Sequence, residues 1–292
     1  MVIGLEDGFM SMKKKKKAEL SVQDFARLRA IFDRKKWPIE DGFESKVFEN
    51  FCGLLAGLKA HQRELMFTLT ESFLWVRELD YVRYFSRAFD LFVSSFSFNG
   101  CTNIVICPLL PEEDFGKSKS SIMLLYFIKA NIVSLRTKYP RYSIDFCDSP
   151  ALFNCAQSQA ATVLCLIDDF IGSGDTAVKT VDYFLGQYYP LSQIAVLSLV
   201  AMEKGLARLQ GKEYHTYTSV VETTGITGRG RDEPAETKTM EEIETAIRVS
   251  SKYRFGYARS QALVKMIRTP NNTFPIYWRT NGNVNVYAPF PR

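Results

Sequence analysis

The chain has 292 residues, 46% of them hydrophobic, enough to bury the core of one large α/β domain or of a medium domain with an accessory one. Its 37 basic and 32 acidic side chains give a formal charge of +5, and residues 13–17 alone supply five lysines, so the rest is close to neutral and a strongly basic nucleic-acid-binding body is not indicated. With two histidines, a histidine-rich zinc site is excluded and a Ser-His-Asp triad has few candidates.

Six cysteines without a C-x-x-C pair, mostly among apolar neighbours, read as small hydrophobes in a reducing, cytoplasmic compartment. No apolar run approaches the roughly twenty residues that span a bilayer, and none follows the lysines as a secretory signal requires, so no membrane association is expected.

In chain order, residues 1–20 are expected to form a flexible basic tail, either merely solvated or touching phosphates or another acidic partner. Ser21 is placed to cap a helix through about residue 34, with Asp24 in its first turn, and Trp37-Pro38 breaks it. Residues 43–96 carry long helical patterns rich in Phe, Leu and Trp, completing an N-terminal helical region over 21–98. Its aromatic stripe reads as core, with a partner surface as the alternative.

The pattern changes at Asn99-Gly100, where a second domain, 99–292, is expected to begin. A short buried strand over 102–110 leads through a turn to a helix over 122–135, followed by strands near 142–146, 163–167, 193–200 and 214–222 with helices between the later ones. Strands alternating with helices predict an α/β fold, a mainly parallel twisted sheet covered on both faces, and such sheets bind ligands at the carboxyl ends of their strands. Residues 225–239 read as an exposed loop, with a mobile lid as the alternative. A helix over 240–250, a strand ALVKMIRT, a turn TPNNT and the apolar FPIYW close the chain.

The stretch LCLIDDFIGSGDT, residues 164–176, places two adjacent carboxylates, Asp168 and Asp169, where the strand ends and a helix begins. In the following GSGDTA, Gly172, Ser173, Gly174, Asp175, Thr176 and Ala177 supply successive backbone N–H groups at a helix N-terminus, a close approach at Gly174, and the hydroxyls of Ser173 and Thr176: a phosphate cradle. Asp175 is expected to face away and favour the same helix end through its charge. The carboxylates supply acceptors for a vicinal diol, so the two parts together describe a site for a ribose 5-phosphate; the alternative is an Asp pair capping a helix beside an ordinary glycine turn. Upstream, GKSKSS opens the helix after the strand TNIVICPLL, and its Lys117, Ser118, Lys119 and Ser120 suit a pyrophosphate, or simply a solvated helix start. Pro111 stands where a Walker A loop requires glycine, so an ATPase reading is rejected. Pro270-Asn271-Asn272 is a turn, and Tyr277 and Trp278 either stack on a base or pack in the core.

The run from 164 to 176 resembles the signature that binds phosphoribosyl pyrophosphate (PRPP) in type I phosphoribosyltransferases. It departs from that family's preference at Cys165, Phe170 and Gly172 without removing a polar group the chemistry uses. With FGYARSQALVKMIRTPNNTFPIYW, the stretch over roughly 40–285 resembles a branch found in bacterial conflict and antiphage defence systems. The resemblance implies that Asp168 and Asp169 hold the ribose hydroxyls and, indirectly, Mg²⁺; that residues 172–177 anchor the 5-phosphate; and that Lys117 to Ser120 meet the pyrophosphate. It further implies transfer of ribose 5-phosphate to an acceptor at Asn271, Asn272, Tyr277 or Trp278. Alternatively, the chain is a catalytically silent nucleotide- or PRPP-binding sensor that keeps the pocket. Partners beyond PRPP or another ribose-phosphate ligand are left open: nucleic acid, a companion defence protein, or a second copy of the chain.

Overall fold

The stretch from Val163 to Ile167 is fully buried, because its apolar and β-branched side chains meet helices on both faces, as a central parallel strand demands. The computed structural model describes residues 19–39, 45–155, 162–280 and 287–292; the lysine run at 13–17 lies outside them. In chain order the strands are β1 (Leu74–Trp75), β2 (Asn103–Pro108), β3 (Ser143–Phe146), β4 (Thr162–Ile171), β5 (Ile194–Met202), β6 (His215–Glu222) and β7 (Val264–Lys265). The α-helices used below are α1 (Val22–Lys35), α2 (Ser45–Ala56), α3 (Ala60–Ser72), α4 (Tyr81–Ser95), α5 (Ser120–Ala130), α6 (Ile132–Lys138), α7 (Asp175–Gly186), α8 (Glu203–Gln210) and α9 (Glu233–Ala246). Ser21 caps α1 as expected, its hydroxyl accepting from the Asp24 amide at 3.1 Å.

Five strands form one sheet in the order β3-β2-β4-β5-β6, every neighbouring pair parallel. From β2 the chain runs outward to β3 and then returns to lay β4 on the other side of β2. The winding reverses between β2 and β4, which opens a crevice at their carboxyl ends. One face is covered by α4 and α5, whose Phe85, Phe89, Phe92, Leu124 and Ile128 pack with Ile104, Cys165 and Leu197. The other is covered through Val178, Val181 and Phe184 of α7 and Leu209 of α8, against Leu164, Leu166 and Val196. This is the α/β architecture the sequence predicts, with an N-terminal helical region before it.

A third core joins α1, α2, α3 and α9 to Phe274, Ile276, Tyr277 and Phe290 near the end of the chain. Within residues 21–98, therefore, α1 to α3 share their core with the C-terminal segment, while α4 packs on β5 and β6. A separate parallel ladder, Leu74↔Val264 and Trp75↔Lys265, ties the two regions together.

Two expectations need correction. The loop predicted over 225–239 ends at Asp232, whose carboxylate accepts from the Ala235 amide at 3.2 Å and starts α9 with Pro234 in its first turn. Its first part is tied down, Gln261 Oε1 accepting from the amides of Ile226 at 3.1 Å and Thr227 at 3.0 Å, so it is not a free lid. The strand predicted over 262–269 shrinks to β7, the two residues that find a partner in β1, while Ala262 makes an isolated bridge with Thr273. Among the described residues no helix is long and apolar enough to cross a membrane.

Candidate active site

At the crevice between β2 and β4 lies a cavity of about 450 Å³, within the range typical of small-molecule sites. Leu109 to Pro111 after β2, the start of α5, residues 168–177 and the turn at 268–272 wall it.

Adjacent residues on a strand point to opposite faces, so Asp168 and Asp169 have different surroundings. Asp169 is buried and accepts a hydrogen bond from the Tyr81 hydroxyl at 2.9 Å; that same hydroxyl accepts from the Ile267 amide at 2.9 Å. Asp168, half-buried, accepts from the Asp169 amide at 2.9 Å and from the Ser120 hydroxyl at 3.4 Å. Burial holds the Asp168 carboxyl well above the usual carboxylate range, and the neighbouring Asp169 charge adds to it. Burial raises Asp169 as well, against the hydrogen bonds it receives from Ser120 and Tyr81. The pair therefore resists carrying two negative charges, and hydroxyl donors or a cation placed against it favour the doubly ionised form.

The loop over residues 172–177 is built from close backbone approaches. Gly174 caps α7 with φ +80°, a left-handed conformation that suits glycine. A Cβ at Gly172 would lie 2.3 Å from the Asn272 side chain, and one at Gly205, on α8, would lie 2.4 Å from the Gly172 carbonyl oxygen. The departure at Gly172 thus has a physical cause: Asn272 fills the space a side chain would take. Asn272 is itself fixed, its amide donating to Ser260 Oγ at 2.7 Å and the Tyr257 carbonyl at 3.3 Å. Asp175 lines the cavity, is ion-paired with Arg208, and accepts from the Ser173 hydroxyl at 2.8 Å. Partial burial pushes its carboxyl up, but Ser173 and Arg208 bring it net below the ordinary value.

The other candidates separate into two groups. Lys119, Ser120, Asn271 and Asn272 line the cavity with the acids and the loop. Ser121 lines it too, with a buried hydroxyl that has no hydrogen-bond partner among the described residues. Lys117 and Ser118 do not line it, although Lys117 is ion-paired at 3.0 Å with the lining residue Asp114, which it shares with Lys119. Of the two alternatives for Tyr277 and Trp278, both side chains are seen packed in the core. Tyr277 is fully buried beside Phe73, its ring 4.6 Å away, and the Trp278 indole donates to the Thr273 carbonyl at 2.7 Å. Sequence reasoning missed Tyr81, Tyr257, Lys252, Arg268 and Arg292. A hydrophobic helix start conceals the role of Tyr81, and the others stand in no local motif.

A parallel sheet whose winding reverses at β2 and β4, with a carboxylate pair and a glycine-containing loop at the end of β4, defines a type I phosphoribosyltransferase-like domain. A family model described as PRTase-CE matches residues 94–292, and the chain belongs to that family. No curated protein matches it. Among solved structures, the chain is similar to an orotate phosphoribosyltransferase from Aeropyrum pernix, at 10% identity and a TM-score of 0.31, over 50% of this chain and 72% of that one. It is also similar to a protein of Aquifex aeolicus, at 10% identity and a TM-score of 0.30, over 63% and 86% of the two chains.

Proposed function

We propose that the chain is a phosphoribosyltransferase that takes PRPP as donor. The observation that carries this reading is the meeting of Asp168 and Asp169 with residues 172–177 and with Lys119 and Ser120 around one cavity. The carboxylates accept from the ribose 2- and 3-hydroxyls and set negative charge beside C1. The backbone amides of the loop and the hydroxyl of Thr176 donate to the 5-phosphate, while Ser173 gives its proton to Asp175 and holds the loop. Lys119 and Ser120, and the unpartnered hydroxyl of Ser121, face the pyrophosphate. As the C1–O bond breaks, its electron pair leaves with pyrophosphate, and an acceptor nitrogen closes on C1 and loses its proton to solvent. Positioning and fixed charge do most of this work.

Among the described residues no three His, Cys, Asp or Glu side chains converge to hold a metal unaided. Mg²⁺ commonly binds through one or two carboxylates together with substrate phosphates, and Asp168 and Asp169 fit that partial donor set. When bound, the ion supplies positive charge to the departing pyrophosphate.

The test is calorimetric titration of PRPP into the Asp168→Asn, Asp169→Asn protein. Hydrogen bonds to charged groups contribute about 1.5–3 kcal/mol each, so affinity should fall at least about a hundredfold. Unchanged affinity in the folded variant overturns the ribose assignment. Turnover is read separately, as pyrophosphate release with a new ribosylated product in a cell extract; tight PRPP binding without release would identify a sensor instead. An effector role in antiphage defence is supported by the resemblance over 40–285 alone. Plaque counts on cells carrying the wild-type or the double-Asn chain with its neighbouring genes test it.

A further inference from the structure

The cavity's cations fall into two sets. Lys119 and Lys179 are neutralised, Lys119 by Asp114 at 2.8 Å and Lys179 by Glu113. Lys252, Arg268 and Arg292 line the same cavity, yet none of the three has a carboxylate partner among the described residues. All three come from the C-terminal segment, which also supplies Asn271 to the lining. Burial, then the nearby Arg268 charge, lowers the affinity of Arg292 for its proton, as expected where like charges face a common space. Such an arrangement is offset when an anion enters it. Tyr257 and Asn271 line the cavity too, joined by a bond from the Tyr257 amide to the Asn271 carbonyl at 2.8 Å. Tyr257 offers a ring face and Asn271 an amide that both donates and accepts.

We infer that these C-terminal lining residues form the acceptor subsite and that its ligand is a nucleotide rather than a free base: Arg268, Arg292 and Lys252 take the phosphate, while Tyr257 and Asn271 face the base. The inference rests on the proposed donor site, because the 5-phosphate of the donor has its own cradle at residues 172–177 and leaves these three cations unassigned. Arginine forks suit phosphate oxygens in pairs, and a nucleotide brings such a group together with a planar ring.

The experiment fills the donor site first. Wild-type protein and the Lys252→Ala, Arg268→Ala variant are saturated with ribose 5-phosphate, then titrated with the four ribonucleoside 5′-monophosphates, the matching nucleosides, a 5′-phosphorylated oligonucleotide, and inorganic pyrophosphate. The variant should keep its ribose 5-phosphate affinity within about twofold and lose about tenfold or more for the best nucleotide, with nucleoside binding the same in both proteins. Preference for the oligonucleotide would identify a strand end as the source of the phosphate, and preference for the monophosphates a free nucleotide. Equal nucleotide binding by both proteins overturns the inference, as does no nucleotide binding at all. Loss of pyrophosphate affinity in the variant, matching the nucleotide loss, reassigns the cations to the donor. If wild-type protein ignores ribose 5-phosphate but binds nucleotides in a Lys252- and Arg268-dependent way, the donor reading fails and the subsite stands.

Discussion

Replacing Tyr81 with Phe removes one oxygen and tests whether the helical layer sets the charge of the site. That oxygen is 1% exposed as part of Tyr81, donates to Asp169 at 2.9 Å and accepts from the Ile267 amide at 2.9 Å. Burial keeps the phenol protonated far beyond physiological pH, so it serves as a donor throughout. Two losses follow: a bond to a charged group, of about 1.5–3 kcal/mol, and an orphaned buried amide costing about 1–3 kcal/mol. Part of the first is a change in Asp169 itself, whose carboxyl, already raised by burial, rises further without its donor. The variant should unfold at lower urea, having lost roughly 2.5–6 kcal/mol of stability. Its PRPP affinity should weaken about tenfold near neutral pH and recover as pH rises, because a raised carboxyl ionises later. The assay is calorimetry at several pH values, on protein whose near-ultraviolet circular dichroism matches wild type. Folded Tyr81→Phe protein with the wild-type affinity and pH profile would refute the argument that Tyr81 positions Asp169.

Other outcomes follow from the same geometry. Gly172→Ala should cost about 1–3 kcal/mol through overpacking against Asn272, and the penalty should shrink in an Asn272→Ala background; additive losses in a double-mutant cycle would count against the contact. Lys119→Ala should weaken PRPP more than ribose 5-phosphate, whereas Lys117→Ala should leave both nearly unchanged, since only Lys119 lines the cavity; equal effects from the two lysines would contradict that division. Burial raises the Glu244 carboxyl to about 7, although it accepts from the Phe255 amide at 2.9 Å. The unfolded chain releases this proton first, so Glu244 destabilises the fold progressively from its ordinary value of 4.5 up to about 7 and by a constant roughly 3 kcal/mol above that. Glu244→Gln should therefore gain thermal stability over wild type between pH 5 and pH 8, and a pH-independent difference would show that burial does not penalise the charge.

What could be read from the sequence was local. The acids, the loop and Ser120 lie within a few residues of a strand end, where strand period, small residues and a helix start identify them. Arg208 and Asn272 contact that loop from 33 and 100 positions beyond Asp175 and Gly172, and no local pattern reports such contacts. Tyr81 reaches Asp169 across 88 positions and Ile267 across 186, so its role exists only in the packed molecule. Leu74 and Trp75, inside an apparently helical run, become a strand because Val264 and Lys265 offer a ladder that outweighs local preference. The start of α9 was legible and overlooked: Asp232, with Pro234 and Glu236 after it, is an N-terminal signature hidden in a charged, glycine-rich stretch.

The β1 and β7 ladder also orders events during synthesis. Asp168, Asp169 and the loop after them are made about a hundred residues before the turn bearing Asn272, and Leu74 waits for Val264 before it can pair. A chain emerging from the ribosome can assemble the parallel sheet through β6 while Gly172 still faces empty space and the Tyr81 hydroxyl lacks the Ile267 amide. Closure of the cavity around residues 168–177 therefore waits for the segment bearing Asn272, and a nascent chain, however well its sheet has folded, leaves Gly172 uncovered until that segment docks.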